Sequence, residues 1–508
     1  MSDICMSHFG TDKATLDPSL EQLGLQVASD GFHVQWAKGN RRHPRNWNRS
    51  RKLYDTFLII FLELFTTAIS TSGSTTATDA LHEFDIPREL AIFIFVSLYL
   101  LGQGIGAILL PPYSESFGRK NLYVASSALY SISCAIVAAV PSLIGVIVGR
   151  FVSGFVSSIP TTVVVGSIED MYNSRDRVWL ICVWAIASNF ALVLGPILST
   201  FITEDLGWRW VFYVATMVTG VLAFLLLTIR ESRPSLLLAQ EVSTLRKITG
   251  IETLQAFDPD RTPDLRTFVR VALGRPVRLL FTELIVFVVS FMSGIAVALV
   301  YLFTEALPPI YEAFGFNSKQ SCLPFVALGI GILAGLSTRY IDLRVIDKHR
   351  RQGHTLVPEH KLTGFSIGTP ILAAALWIYA WTIPPGVTNV HWIVSVIALV
   401  LIGYSLNEID YVLGGYLTDS YLSYAASGLA ALSLVRALLS AILPLISTPM
   451  FTGIGNNLAV SVLAGLATVF CIVPPLFARF GRVIRARSAF AKYSLRMYTE
   501  HSVEEDGL

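Results

Sequence analysis

Four residues with polar or ionisable side chains interrupt long apolar runs, and they are the first candidates for chemistry. They are Glu63, Arg150, Asn189 and Arg436. A carboxylate can carry a proton. An arginine or an amide can bind that carboxylate or a polar group of a substrate. We expect Glu63 and Arg150 to form an ion pair that faces one cavity. The alternative is a structural role, in which Arg150 bonds backbone carbonyls and Asn189 bonds a neighbouring helix.

A second group of charges lies in the stretch LPPYSESFGRKNLY, residues 110–123, between two of these runs. Gly118 permits a tight turn, and Arg119 and Lys120 follow it directly. Glu115, three residues earlier, can pair with a basic group or cap a helix N-terminus. The pattern predicts either a solvated loop with charges that set topology or an ionic latch between helices.

Two further pairs stand near the ends of apolar runs or inside them. Glu408 and Asp410 lie late in one run, where they form either an inner gate or a simple interface with water. Gly195 and Pro196 lie inside another run. Because proline removes a backbone hydrogen bond, we expect it to kink the helix and shape a gate.

The composition identifies the elements that position these residues. The chain has 508 residues, of which 53% are hydrophobic and 15% are charged, whereas soluble domains carry about 25% charged residues. An apolar run needs about 20 residues to cross a bilayer as a helix. Twelve runs qualify, and we number them as predicted spans 1 to 12 in chain order: about 55–77, 90–110, 122–140, 143–165, 179–202, 209–229, 281–305, 322–339, 363–381, 391–413, 424–447 and 458–478.

The distribution of basic residues predicts how the chain threads the membrane. The segment 37–53 holds seven Lys and Arg and no acid, which marks it as cytoplasmic under the positive-inside rule. With twelve spans, the segments on that side hold 32 of the 38 Lys and Arg. Both termini are therefore predicted to be cytoplasmic.

A polar gap at residues 230–280 divides the twelve spans into two groups of six, as in the repeats of secondary transporters. The predicted fold is all-α, a polytopic membrane protein of two pseudo-symmetric six-helix bundles. We expect five segments: an N-terminal tail at 1–53, a bundle at 54–229, a linker at 230–280, a bundle at 281–479 and a C-terminal tail at 480–508.

Seven short motifs resemble those of fungal drug:proton antiporters with twelve spans, within the major facilitator superfamily. The resemblance runs from about residue 44 to about residue 488. Its motifs are PPYSESFGRKNLY, HPRNWNRSRK, RFVSGF at 150–155, GWRWVFYV at 207–214, RESRPSLLL at 230–238, PEHKL at 358–362 and YLTDSYLSYAASGLAALSLVR at 416–436. In span 5 the chain departs from the family's glycines, since Ala191, Ser199 and Thr200 replace them.

The resemblance implies export of amphiphilic small molecules in exchange for protons, by alternating access, at the plasma membrane or alternatively at the vacuolar membrane. It implies a role for Arg150 in proton coupling or substrate contact. It also places Asp170 opposite the 2–3 loop, so that Glu115, Arg119 and Asp170 form the cytoplasmic latch. The expected partners are a small-molecule substrate, protons and the lipid bilayer, for a monomer that does not bind nucleic acid.

Other functions receive less support from the sequence. A facilitative or differently coupled transporter is the main alternative, although the motifs of sugar facilitators after spans 6 and 12 are missing. A membrane-bound transferase needs a polar catalytic cluster, and the nine histidines are dispersed. A sensor is expected to carry a longer signalling tail. Neither a cofactor, a metal site nor a catalytic residue is predicted, because no phosphate-binding loop or metal-ligand spacing occurs.

Overall fold

The computed structural model describes residues 13–27, 33–251, 254–256, 274–351, 358–386, 390–421, 424–488 and 490. These residues include twelve helices long and apolar enough to cross a membrane, which confirms the predicted number. Numbered as spans 1 to 12, they are Arg49–Thr71, Arg88–Ser114, Lys120–Ala139, Leu143–Met171, Asp176–Leu206, Arg209–Leu226, Leu284–Glu312, Ser318–Tyr340, Thr363–Ala380, Ile393–Tyr421, Ala425–Ile454 and Asn456–Arg487.

Spans 1 to 6 and spans 7 to 12 form two halves with a linker between them. Because the number of spans is even, span 1 begins and span 12 ends on the same side, which we name the terminal face; the opposite side is the far face. Further helices lie outside the spans, at Lys13–Leu23, Gly73–Phe84, Pro234–Thr249 and Arg275–Thr282. The first, third and fourth belong to the terminal face, and Gly73–Phe84 continues span 1 at the far face.

The two halves repeat the same close packing between helices. A Cβ atom added to Gly154 of span 4 would lie 2.0 Å from the carbonyl oxygen of Tyr99 in span 2. In the second half, a Cβ on Gly403 of span 10 would lie 2.1 Å from the carbonyl oxygen of Leu328 in span 8. Only a residue without a side chain permits such contact, so the corresponding helix pairs approach each other in the same way.

Spans 2 and 8 supply matching glycines in return. Each glycine lies three residues after the carbonyl just described, Tyr99 in span 2 and Leu328 in span 8. Gly102, in the stretch GQGIGA, would place a Cβ 2.4 Å from the carbonyl oxygen of Phe151. Gly331 would place one 2.0 Å from that of Val400. The glycine-rich stretch of span 2 is therefore a helix-packing surface, and its counterpart in span 8 confirms that the halves are structural repeats.

A small unit at the terminal face joins the N-terminal tail to the linker, and the sequence analysis did not predict it. Strands β1 (Leu25–Val27), β2 (His33–Trp36) and β3 (Gln255–Ala256) form one sheet. Strand β1 pairs antiparallel and β3 parallel with β2. We name this the tail–linker unit; its buried core comprises Leu20, Leu25, Val34, Leu238, Val242, Leu245, Ile251 and Leu254.

Candidate functional site

A cleft lies between the two halves, where about 570 Å³ is free of protein atoms, adjoining open solvent included. Spans 1, 2, 4, 5, 7 and 11 all contribute to its wall. The polar residues that line it are Glu63, Thr67, Gln103, Ser158, Thr161, Thr162, Ser188, Asn189, Tyr301, Ser433, Arg436 and Ser440. Leucine, valine and alanine side chains complete the lining, so the cleft offers both apolar surface and hydrogen-bonding groups.

Glu63 is the carboxylate of this cleft, and it is completely buried. Its Oε1 atom accepts hydrogen bonds from the hydroxyl of Ser188 at 3.0 Å and from that of Thr67 at 3.3 Å. Its Oε2 atom has no hydrogen-bond partner among the described residues. A buried carboxylate with one unsatisfied oxygen is costly when charged, so protonation or a cationic ligand would stabilise it.

Arg436 lies on the opposite wall, in the second half, and is already paired. Its Nη2 atom is 2.5 Å from Oδ1 of Asp410 and 3.2 Å from the hydroxyl of Ser293. Ser293 in turn donates to the same carboxylate oxygen at 2.6 Å. The cleft therefore has an unpaired acid on one wall and a neutralised arginine on the other.

Arg150 does not form the expected ion pair with Glu63. Its Nε atom donates to the carbonyl oxygen of Phe95 at 2.8 Å, and Nη2 bonds the same oxygen. The guanidinium lies over the rings of Tyr99 and Phe212, at 4.6 and 5.4 Å from their centroids. Arg150 is thus enclosed within the first half, away from the cleft lining, where a carbonyl and two aromatic faces stabilise its charge.

The carbonyl that Arg150 binds belongs to a π-helical turn of span 2, Phe93–Ser97. Such turns disturb the regular hydrogen-bond ladder of a helix, so an internal cation can stabilise the altered backbone. The next polar residue in the turn, Ser97, donates to the carbonyl oxygen of Ala441 in span 11 at 2.6 Å. Arg150 therefore supports a backbone feature that contacts the second half.

Asn189 also lies at the boundary of the halves. Its side-chain amide donates to Oδ1 of Asn407 in span 10 at 3.1 Å. The residue lines the cleft as well, so both interpretations of its role, helix contact and substrate contact, are compatible with its position. Asn407 was not singled out in the sequence.

Glu408 and Asp410 lie deeper than predicted. Span 10 continues to Tyr421, so Asp410 is about 16 Å from the end of its helix at the usual rise per residue. Glu408 pairs with Arg339 of span 8, whose guanidinium also lies over Tyr411 at 4.5 Å. Because both carboxylates are paired inside the second half, their assignment to the cytoplasmic end of the span was wrong.

Polar contacts join the two halves towards the far face. The hydroxyls of Ser70 and Tyr301 are 2.6 Å apart. The Glu305 carboxylate accepts from the hydroxyl of Ser74 at 2.5 Å and from Arg88 at 3.2 Å. Asp205 pairs with Lys319 nearer the surface. These contacts close the far side of the cleft in this structure.

At the terminal face the structure brings together two of the three predicted latch residues. The Nε atom of Arg119 lies 2.7 Å from Oδ2 of Asp170, although the two are not aligned for a hydrogen bond. Both side chains are buried, with 6% and 9% exposure. Arg119 also donates to the carbonyl oxygen of Val163 at 3.0 Å. The side chain of Glu115 lies outside the described residues.

Glu231, which the sequence analysis did not select, completes this cluster. Its carboxylate accepts from the backbone N–H groups of Arg119 and Lys120, both at 3.0 Å, at the start of span 3. Gly118 has a φ of 93°, and an added Cβ would lie 2.7 Å from Oε2 of Glu231. The glycine therefore provides both the turn and the space for a capping acid.

Span 5 is a continuous helix through Pro196. A Cβ on Gly195 would lie 2.1 Å from the carbonyl oxygen of Ala68, so this glycine packs span 5 against span 1. The carbonyl of Pro196 accepts from the hydroxyls of Ser199 and Thr200, at 3.2 and 2.8 Å. The small polar residues that replace the family's glycines thus bond their own helix, and Ser199 also contacts the hydroxyl of Thr75 at 3.1 Å.

Twelve spans in two repeated halves, with a polar cleft between them, define a secondary-transporter fold. The profile of the Major Facilitator Superfamily matches residues 56–444, and the chain belongs to this family of transporters. It is a multi-pass membrane protein.

Similar proteins agree with this assignment. The chain is 30% identical to the "MFS-type transporter penM" of Penicillium rubens over 96% of its length and 93% of that protein. It is 30% identical to the "Multidrug transporter TPO1_2" of Candida glabrata, over 94% and 81%. It is 31% identical to the "MFS-type efflux pump MFS2" of Trichophyton rubrum, over 95% and 81%.

Solved structures show the same fold at low sequence identity. The proton:xylose symporter XylE superposes with a TM-score of 0.59 at 14% identity, covering 85% of this chain and 96% of that one. The human organic anion transporter MFSD10 gives a TM-score of 0.59 at 14% identity, covering 84% and 100%.

Proposed function

We propose that the protein exports amphiphilic small molecules in exchange for protons, by alternating access at the cleft between its halves. The observation that carries this proposal is the position of Glu63, a buried acid with one unsatisfied oxygen on the wall of that cleft. Relatives named as efflux pumps and multidrug transporters support the direction and the substrate class.

The terminal face is the cytoplasmic face in this proposal, because it carries most of the basic residues. The far side of the cleft is closed by the contacts of Glu305, Tyr301 and Lys319. With the far side closed, we infer that substrate enters the cleft from the cytoplasmic side. The plasma membrane is the expected location, since export from the cell requires it.

Proton coupling follows from competition for the Glu63 carboxylate. When charged, its free oxygen favours a cationic or hydrogen-bonding group of the substrate; when protonated, it no longer attracts a cation. The apolar part of the lining holds the remainder of an amphiphilic molecule. Asn189 and Gln103 supply hydrogen-bonding groups nearby. Arg436 stays neutralised by Asp410, which keeps the opposite wall from repelling cations.

The test is transport by the full chain in inside-out vesicles that carry an imposed pH gradient, with a fluorescent amphiphilic cation as substrate. We expect Glu63→Gln, which keeps the shape but cannot release a proton, to abolish gradient-driven accumulation while exchange of labelled for unlabelled dye continues. Glu169→Gln is the matched control, because Glu169 is an exposed acid paired with Arg177 at the terminal face.

Two results would contradict the proposal. If dissipating the pH gradient leaves accumulation unchanged in the unmodified protein, transport is facilitated or coupled to another ion. If Glu63→Gln and Glu169→Gln both retain gradient-driven accumulation, Glu63 is not the proton carrier. Arg150→Lys provides a further comparison, since its role within the first half predicts a loss of folded protein rather than a selective loss of coupling.

A further inference from the structure

The helix Arg275–Thr282, immediately before span 7, presents three different faces. One face is buried against the protein; its residues are Pro276, Leu279 and Leu280. A second face is apolar and exposed, with Val277 and Phe281 one turn apart and Phe281 77% exposed. This combination is typical of a helix that lies in the plane of a membrane interface.

The third face is basic and is organised by aromatic rings. The Arg275 guanidinium lies over the ring of Tyr424 at 5.2 Å, and that of Arg278 lies over Phe490 at 5.7 Å. The two rings meet edge to face, with their centroids 5.2 Å apart. An aromatic pair thus holds two guanidinium groups on one surface; in the described part of the chain Arg278 is exposed and Arg275 is half-buried.

Two described acids of the terminal face of the second half are already engaged. Glu283 accepts a hydrogen bond from Tyr421 at 2.9 Å. Glu359 is bound by two nitrogens of Arg485. Within the described part of the chain, Arg275 and Arg278 form no ion pair with an acid. The end of span 12, which leads to Phe490, adds the exposed arginines Arg479, Arg482 and Arg487.

We propose that Arg275 and Arg278 bind the headgroup phosphate of an anionic phospholipid in the leaflet at the terminal face. Guanidinium groups match phosphate oxygens with paired hydrogen bonds. Phe281 and Val277 enter the acyl region beside them, so the same helix contacts both parts of one lipid. A free phosphate ion supplies the charge but offers nothing for this apolar face. Bound lipid fixes the start of span 7, which carries Tyr301 to the cleft.

The test measures lipid selectivity with the full chain in phosphatidylcholine vesicles. Trace spin-labelled phosphatidylserine and phosphatidylcholine are compared for the fraction of label immobilised by the protein. We expect a preference for phosphatidylserine that falls in Arg275→Gln/Arg278→Gln, on the order of fivefold for each charge removed. The lysine pair Arg275→Lys/Arg278→Lys keeps the charge and should retain most of the preference.

Arg41→Gln/Arg49→Gln is the matched control, because it removes two exposed arginines from the terminal side of the first half. Equal loss of preference in this control would overturn the proposal in favour of general surface charge. Loss of the preference when inorganic phosphate is added at unchanged ionic strength would assign the site to free phosphate. Gel filtration of each variant separates loss of the site from misfolding. Proton-driven transport has a separate readout, so this proposal can fail while the proposed function stands.

Discussion

Each half has an ion pair at the corresponding position of its terminal face, but the two pairs lie in different environments. In the first half, Arg119 of the 2–3 loop pairs with Asp170, two residues before the Tyr172 that follows span 4. In the second half, Lys361 of the 8–9 loop pairs with Asp419, two residues before Tyr421. The first pair is buried, whereas the second is 42% and 31% exposed.

Residues at or just after the end of the sixth span of each half complete the comparison with opposite charges. After span 6, the acid Glu231 binds backbone N–H groups of the 2–3 loop. At the end of span 12, the base Arg485 binds Glu359 of the 8–9 loop. The two halves thus keep their contacts at corresponding positions. The burial of the ion pair differs between the halves, and so does the sign of the charge at the end of the sixth span. We infer that the Arg119–Asp170 pair is harder to break than the Lys361–Asp419 pair, because breaking a buried pair costs more.

The largest expected effect comes from breaking the buried pair. Asp170→Asn should lower the free energy of unfolding by about 3–5 kcal/mol, because it leaves the Arg119 charge buried without its partner. The measurement is thermal unfolding of the protein in detergent, followed by gel filtration. A decrease under about 1 kcal/mol would show that this pair is no stronger than an exposed one.

A double variant separates the ion pair from other contacts of the two side chains. In Arg119→Met/Asp170→Leu both charges are absent, so most of the stability lost in Asp170→Asn should return. Transport then distinguishes the two roles. If the stable double variant turns over normally, the pair is structural; if turnover stays low, the pair also acts as the proposed cytoplasmic latch.

The next effect concerns Glu231. Glu231→Ala removes the acceptor for the first N–H groups of span 3, and a helix cap of this kind contributes about 1–2 kcal/mol. Glu231→Gln keeps an acceptor oxygen and should cost less. Hydrogen exchange of the amides of Arg119 and Lys120 reports the loss directly. Unchanged exchange in the alanine variant would mean that the carboxylate does not cap this helix in solution.

The smaller effect belongs to the exposed pair of the second half. Lys361→Gln should change the free energy of unfolding by less than about 1 kcal/mol, because water screens both charges. The difference from the unmodified protein should vanish in high salt. Asp419→Asn should give the same small change. A cost above about 3 kcal/mol for either variant would place the second pair in the same class as Arg119 and Asp170 and remove the contrast between the halves.

The number of spans was predictable because apolar length and charge placement alone set it. The interior pairs were not. Arg150 and Glu63 each lie in an apolar helix, but hydropathy does not specify which way a helix is rotated, and Arg150 turns towards Phe95. The predicted span 10 was too short for a related reason. Glu408 and Asp410 suggested that the span ends near them, because the sequence does not show that arginines from other helices neutralise both.

The tail–linker unit escaped prediction for a different reason. Strands β2 and β3 are separated by more than 200 residues, and β3 is only two residues long, too short for a periodic signal. The role of Glu231 was also not predictable, because it too depends on a contact between residues far apart in the sequence. Its motif suggested the start of the linker, while its bonds to the 2–3 loop depend on how span 6 packs beside span 3.

One more feature distinguishes the halves in the described part of the chain: the first carries the tail–linker unit, and His43 joins that unit to span 1. Its Nδ1 atom accepts a hydrogen bond from the backbone N–H of Arg45 at 3.2 Å, at the start of the turn Pro44–Asn46. Burial, and then the nearby charges of Arg45 and Lys52, lower the pKa of His43 from 6.5 to about 4. The neutral form is therefore the one that fits the folded tail.

This shift predicts a pH dependence confined to the first half. As the pH falls from about 6.5 towards 4, the opened tail takes up a proton on His43 before the folded tail does, so the folded tail loses stability. The rate of hydrogen exchange of β2, divided by the intrinsic rate of an unprotected amide at each pH, should increase over this range. His43→Asn keeps a capping acceptor that does not titrate, and the same ratio of rates should stay constant with pH. Equal acceleration in His43→Asn would assign the effect to other groups, and acceleration in the 8–9 loop as well would show that low pH loosens both terminal faces alike.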